Sequence, residues 1–324
     1  MDTRLFVKTK EKGAMEQITI LWTQISIFAV MLAVGFLARK TKLADKNVFD
    51  AMTVFTVKVL LPLFMLTTLP GLGSAADAGK VFLLFGVFAV FYVIMNLLSM
   101  ISCRLFHMEG EMAVSNMAVI TTTCAGFIGL PIASAMYGAY GTLVMALYSA
   151  FDNFTTWTHK AYVLNQHAKG QNVLWWKKMI NPQIVCVLLG LLLAALKVDL
   201  TGNVVWDSLY QVGEMAKYMG MLFLGSTLAD LNRTFLDYLK PILYTVFVRM
   251  GLFPLLFGLA AKHMGLFDGQ DIILLTIILA TPPMASMPTI IKSFGIEERY
   301  AAQCLIFTTL ISLVTMPAVL WVIL

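Results

Sequence analysis

The chain has 324 residues, of which 59% are hydrophobic and only 13% charged, with a formal net charge of +5. Soluble proteins run at roughly 45–50% apolar and about a quarter charged, so a soluble surface cannot be covered here. Intrinsic disorder, which needs low hydrophobicity, is excluded. The basic residues are spread over loops rather than gathered on a face, which excludes nucleic-acid binding.

Residues 1–16 are polar and basic and read as a short disordered head, with Met15 as an alternative start. The apolar run 17–38 ends in Arg39-Lys40, too long and wrongly flanked for a signal peptide, so it reads as a membrane span. A span needs about 20 apolar residues. Further candidates fall near 47–69, 80–103, 112–137, 140–164, 181–197, 204–229, 239–263, 270–293 and 299–324, making ten in all. The turns between them include Pro70-Gly71-Leu72-Gly73, Gly138 to Gly141 and Gly265 to Gly269. The longest connection, 165–180, holds Trp175-Trp176-Lys177-Lys178, an interfacial anchor pattern. The predicted architecture is an all-α polytopic membrane protein. Residues 17–164 and 181–324 form two five-span halves joined by a cytoplasmic linker.

The odd-numbered connections carry eleven Lys or Arg, among them Arg39, Lys46, Arg104 and Lys292, against Lys80, Lys197 and Lys262 in the even ones. Positive-inside bias then places odd connections in the cytoplasm and both termini outside, although the basic head opposes this. Five spans per half would insert the second half upside down. Residues 32–43 (LAVGFLARKTKL) and 189–200 (LGLLLAALKVDL) show weak internal similarity.

The fourth and ninth spans are both interrupted. The fourth reads Thr121-Thr122-Thr123-Cys124-Ala125-Gly126-Phe127-Ile128-Gly129-Leu130-Pro131, and the ninth reads Ala280-Thr281-Pro282-Pro283-Met284-Ala285-Ser286-Met287-Pro288. Proline removes a backbone donor and glycine tolerates non-helical backbone. Each break should end one half-helix and begin another. The N-termini of the second half-helices would then form an anion site. Paired breaks in matching positions of two halves point to a transporter's binding site; a single proline kink would be ordinary packing. The candidate substrate-binding residues are Thr122, Thr123, Cys124, Gly126, Gly129, Pro131, Thr281, Pro282, Pro283, Met284, Ser286 and Lys58.

Charges inside spans are costly and usually functional. Lys58 precedes Pro62, Arg249 precedes Pro254, and Asp152-Asn153 lie midway in the fifth span. Lys58 or Arg249 would compensate anion charge. Asp152, with Asn153, is a candidate for coupling, or a structural acid if paired with Lys58 or Arg249. His159 and Lys160 are expected to snorkel to the interface, and Glu214 and Lys217 to form an i,i+3 pair. The four isolated cysteines and four histidines give no metal pattern. No cofactor is expected beyond a coupling proton or sodium ion, and no nucleophile–base pair indicates an enzyme.

Gly35-Phe36-Leu37-Ala38-Arg39-Lys40, Lys58-Val59-Leu60-Leu61-Pro62-Leu63 and Gly126 to Pro131 with Tyr137-Gly138 resemble the auxin efflux carrier family. So do Asn153 to Trp157-Thr158, Asn181-Pro182, Leu224-Gly225 and the ninth-span prolines, in family order. The family includes plant PIN exporters and bacterial malate and malonate permeases. The resemblance implies inverted repeats whose fourth and ninth helices cross at Pro131 and Pro283. It also implies an often dimeric scaffold with a mobile transport part working as an elevator, and organic-anion substrates. The family usually carries Asn at the position of Cys124. Lys58, where a neutral residue is frequent, would suit a more highly charged anion.

The expected protein is a bacterial inner-membrane carrier of malate- or malonate-like anions working by alternating access. The alternatives are a sodium-coupled bile-acid-type carrier, an exporter of an auxin-like monocarboxylate and, outside transport, a non-transporting membrane sensor. A sensor would call for a soluble output domain.

Overall fold

A computed structural model describes residues 3–70, 78–168, 182–198, 200, 202–230, 233–265 and 267–324. Among these every regular element is helical. The elements are α1 (Thr3–Lys40), α2 (Lys46–Phe55), α3 (Leu61–Thr68), α4 (Ala78–Leu105), α5 (Gly110–Ile120), α6 (Leu130–Thr155) and α7 (Ala161–Gln166). They continue with α8 (Pro182–Ala195), α9 (Val204–Leu228), α10 (Leu239–Tyr244), α11 (Phe253–Met264), α12 (Gly269–Ala280), α13 (Met287–Ser293) and α14 (Arg299–Ile323).

Among the described residues six stretches are long and apolar enough to cross a membrane: Gln17–Lys40, Lys46–Thr68, Gly79–Leu105, Gly110–Gln166, Leu236–Met264 and Arg299–Ile323. Helices α8 and α12 are apolar but shorter. Large apolar side chains such as Phe82, Val93, Leu192 and Trp321 are exposed. An exposed apolar surface of this extent fits hydrocarbon rather than water. The polar head does not lie outside the helices as expected, because α1 is already helical at Thr3 and runs 38 residues. The Trp175 to Lys178 anchor and most of the 165–180 linker lie outside the described residues. The expected Gly138–Gly141 break is present as a kink: Gly138 takes a non-helical φ 57, ψ −132 and divides α6 into two helices.

Among the described residues four π-helical turns interrupt the α-helices: Thr56–Leu60, Ala125–Gly129, Thr156–Lys160 and Thr245–Leu252. Three of them lead directly into a helix whose second residue is proline: Pro62, Pro131 and Pro254. Proline cannot bond the carbonyl four residues back and its ring crowds that carbonyl. A wider turn ahead of it relieves the crowding and keeps the helix continuous, which is why these prolines do not end their spans.

The helices associate in two groups. In the first, α1, α2 and α3 pack on α9, and α8 packs on α3. Gly35 and Gly225 let the α1 and α9 backbones touch, since a Cβ at Gly225 would collide with the Leu32 carbonyl and one at Gly35 with that of Leu222. The Glu214–Lys217 pair forms on α9 as expected, at 2.9 Å. The second group joins α4, α5, α6 and α10 through α14. Its centre is α12, buried from Asp271 to Ala280, and the buried Gly141–Ser149 stretch of α6.

Polar contacts among the connections sort into two sets. Asp230 meets Arg39 at 3.6 Å and Lys46 at 3.9 Å, the Glu297 amide donates to Glu111 at 3.3 Å, and Lys292 meets Glu298 at 2.7 Å. Elsewhere Lys80 lies 3.3 Å from Asp268 and 3.2 Å from Asp271, Tyr140 donates a short bond to Asp271, and Gln17 donates to Tyr137 at 3.1 Å. No residue belongs to both sets.

Candidate functional site

Helix α5 stops at Ile120, and the chain is non-helical from Thr121 to Cys124 before the π-turn at Ala125. Helix α12 stops at Ala280, and the chain is non-helical through Ser286. The two breaks are bonded to each other. The Cys124 amide donates to the Pro282 carbonyl at 2.7 Å, and the Met284 amide to the Thr122 hydroxyl at 3.4 Å. Pro131 does not mark the break: it is the second residue of α6, beyond the π-turn, whose wider turn relieves its crowding. Gly126 and Gly129 likewise lie within the π-turn.

A cavity of about 520 Å³ opens beside the breaks. Of the expected residues, Lys58, Thr123, Cys124, Gly126, Asp152, Asn153, Met284 and Ser286 line it. Thr122, Gly129, Pro131, Thr281, Pro282, Pro283 and Arg249 do not. Residues not anticipated as site residues also line it: Asp50, Thr53, Phe127, Ser149, Trp157, Gln183, Phe223 and Thr289. One wall comes from α2, its π-turn, α8 and α9, the other from the breaks, α6 and α13. The cavity therefore sits between the two helix groups. The Asn153 amide donates to the Gln183 side-chain oxygen across this boundary at 2.8 Å.

Arg249 has a different role from the expected anion counter. It is 0% exposed, and its guanidinium donates to three backbone carbonyls: Ile120 at 3.3 Å, Thr122 at 2.5 Å and Thr281 through a short bond. These carbonyls lie where α5 and α12 end, and helix C-termini leave their last carbonyls without intrahelical partners. Planar guanidinium, with five donors in a fixed fork, suits this task.

Lys160 does not snorkel. It is 0% exposed, and its ammonium leans back along the helix to Asp152 at 2.8 Å, with the Thr121 carbonyl at 3.4 Å and the Tyr92 ring beneath it at 5.3 Å. Asp152, 2% exposed, also accepts from the Thr123 amide at 3.3 Å. The partner of Asp152 is thus Lys160, neither Lys58 nor Arg249. The reason is the tilt of helical side chains toward the N-terminus, which carries a long lysine back over the preceding turns.

The uncompensated groups face the cavity. Lys58 is exposed and has no ion-pair partner among the described residues. The Ser149 hydroxyl, 6% exposed, has no hydrogen-bond partner. Serine in a membrane helix ordinarily bonds a carbonyl of the preceding turn, so this one is left available. It lies near Gly126, where an added Cβ would come within 3.8 Å of the Ser149 oxygen and 3.6 Å of Leu61. The first-turn amides at Ala125–Phe127 end the same wall, at the positive end of the helix that runs through the π-turn to the kink at Gly138. The corresponding end in the second break is weaker, since α13 has only seven residues. Together these groups can receive a carboxylate.

Compared with curated proteins, the chain finds no significant match. The family described as "Membrane transport protein" matches residues 20–320, nearly the whole chain. With apolar, membrane-length helices over the same residues, the chain belongs to the auxin efflux carrier family of membrane transport proteins and is a multi-pass membrane transporter.

Proposed function

We propose that the protein is a secondary active carrier of small organic anions, malate- or malonate-like carboxylates, bound at the broken helices and moved by alternating access. The observation that carries this reading is the meeting, in one cavity, of Lys58, the unpartnered Ser149 hydroxyl and the helix start at Ala125–Phe127. None of the three has a negative partner among the described residues, so an anion completes them.

The architecture in this reading is ten spans in two inverted repeats with the broken fourth and ninth spans crossing. The sorting of polar contacts supports it. Numbered by ten spans, every cross-connection contact joins odd to odd or even to even, as alternating crossings require. The α9-centred group serves as a scaffold, suited to a homodimer, and the group holding the breaks slides against it as an elevator. Positive-inside bias puts the odd connections in the cytoplasm of a bacterial inner membrane and both termini outside. The cavity reaches Asp50 and Thr53 near the first odd connection, so the conformation faces inward.

The test is uptake of labelled malate into proteoliposomes, with and without an imposed pH gradient. Uptake above empty liposomes supports a carboxylate carrier, and its response to the gradient names proton coupling. A second reading, an auxin-like monocarboxylate, is favoured by the aromatic lining of Phe127, Trp157 and Phe223. Labelled indole acetate in the same vesicles separates the two. Lys58→Ala is expected to weaken dianion transport about tenfold, the effect of roughly 1.4 kcal/mol, and monoanion transport less. Equal losses would remove Lys58 from the role of charge counter.

A further inference from the structure

In broken-helix transporters, unwound carbonyls and half-helix C-terminal ends commonly hold a coupling sodium ion. In this protein the equivalent carbonyls are already taken by the chain's own cations. Arg249 holds those of Ile120, Thr122 and Thr281, and Lys160 approaches that of Thr121. We propose that Arg249 and Lys160 are tethered cations standing where a coupling sodium ion would be held, and that the protein therefore carries its anion without sodium. The inference rests on the transport reading above only for its second half.

The charges support it. The C-terminal ends of α5 and α12 each carry about half a negative charge, and Arg249 supplies one positive charge against the two. Lys160 and Asp152 neutralise each other at 2.8 Å. The region behind the breaks is thus electrically balanced as it stands, and a sodium ion added there would leave an uncompensated buried charge. In front of the breaks the lining holds the positive end of the π-turn–α6 helix and Lys58, with Asp50 on the same lining and Asp152 already paired to Lys160, so this side offers an anion a helix start and a lysine outside any ion pair among the described residues. Arg249 is a positioning residue: it acts by fixing the two breaks against one another, and no part of it lines the cavity.

The experiment is thermal melting of the full chain purified in detergent, in sodium chloride against choline chloride at equal ionic strength. It needs no substrate. A ligand bound only by the folded state raises the melting temperature by mass action. The wild type is expected to melt at the same temperature in both salts; a saturable, sodium-specific rise overturns the proposal. Arg249→Met opens the carbonyls and is expected to melt lower than wild type and to gain a sodium-specific or guanidinium-specific rise that wild type lacks. An Arg249→Met protein that melts like wild type and answers neither cation also overturns it. If Arg249→Met does not fold, Arg249→Lys keeps a tethered cation and is expected to remain sodium-indifferent, and the wild-type comparison still decides. Uptake of malate in sodium against choline completes the test. Sodium-dependent uptake sinks this inference while leaving the carrier reading intact. Absent uptake of any anion counts against the carrier reading, and the melting result stands on its own.

Discussion

Arg249→Met lowers stability by about 3 kcal/mol or more. The substitution keeps most of the side-chain volume, so the loss comes from polar groups. Three buried carbonyls, those of Ile120, Thr122 and Thr281, lose their donor at once. Each orphaned buried acceptor costs about 1–3 kcal/mol. Water has little access to replace the guanidinium, since Thr122, Thr281 and Arg249 itself are fully buried. The loss also loosens the tie between α5 and α12, so anion uptake falls further than the folded fraction does. Melting temperature and uptake per folded molecule check the two parts. A variant with wild-type melting would show that the Cys124–Pro282 and Met284–Thr122 bonds hold the breaks by themselves.

The second large effect is at Asp152 and Lys160. Asp152→Asn leaves the Lys160 ammonium buried without a countercharge, and Lys160→Met leaves the carboxylate so. Removing one partner of a buried pair costs about 3–5 kcal/mol. Replacing both, as Asp152→Asn with Lys160→Met, is expected to recover most of that loss, because a neutral pair of similar volume is often no worse than the ion pair. Melting of the two single variants and the double variant gives the coupling energy directly. Uptake is not expected to return with stability, since Asp152 lines the cavity and orients the Thr123 amide. A double variant no more stable than either single one would mean that the two charges do not act as a pair.

The site was legible in the sequence to the extent that its chemistry is local. Runs of threonine, glycine and proline interrupt an apolar span wherever they occur, so both breaks could be placed from residues 121–131 and 280–288 alone. Charges within spans are conspicuous, so Lys58, Asp152 and Arg249 stood out. Their partners did not, because pairing depends on distance through space. Arg249 lies more than one hundred residues from the Ile120 and Thr122 carbonyls it holds. Lys160 is eight residues from Asp152, about 12 Å along a straight helix, and only a long side chain leaning back closes that gap. Ser149 was missed for another reason: most membrane serines satisfy themselves on their own helix, and nothing in the sequence says that this one does not. Gln183 and Phe223 reach the cavity from α8 and α9, which only the packing of the two groups brings to it.

The π-turns bear on how this chain tolerates change in length. A π-turn is an α-turn with one residue more, so deleting a single residue from Thr56–Leu60 or Thr245–Leu252 can return the segment to a regular helix. Such a deletion preserves apolar length and lets the span insert. The wide turn absorbs the extra residue, so the helix beyond keeps its facing and only the residues of the turn itself change theirs. Lys58 or Arg249 would then face a different neighbour from the rest of its helix. Insertions and deletions in the connections leave these orientations untouched. The protein is thus indifferent to length where its chain is exposed, and at these turns a single codon separates a working register from a well-inserted but inert one.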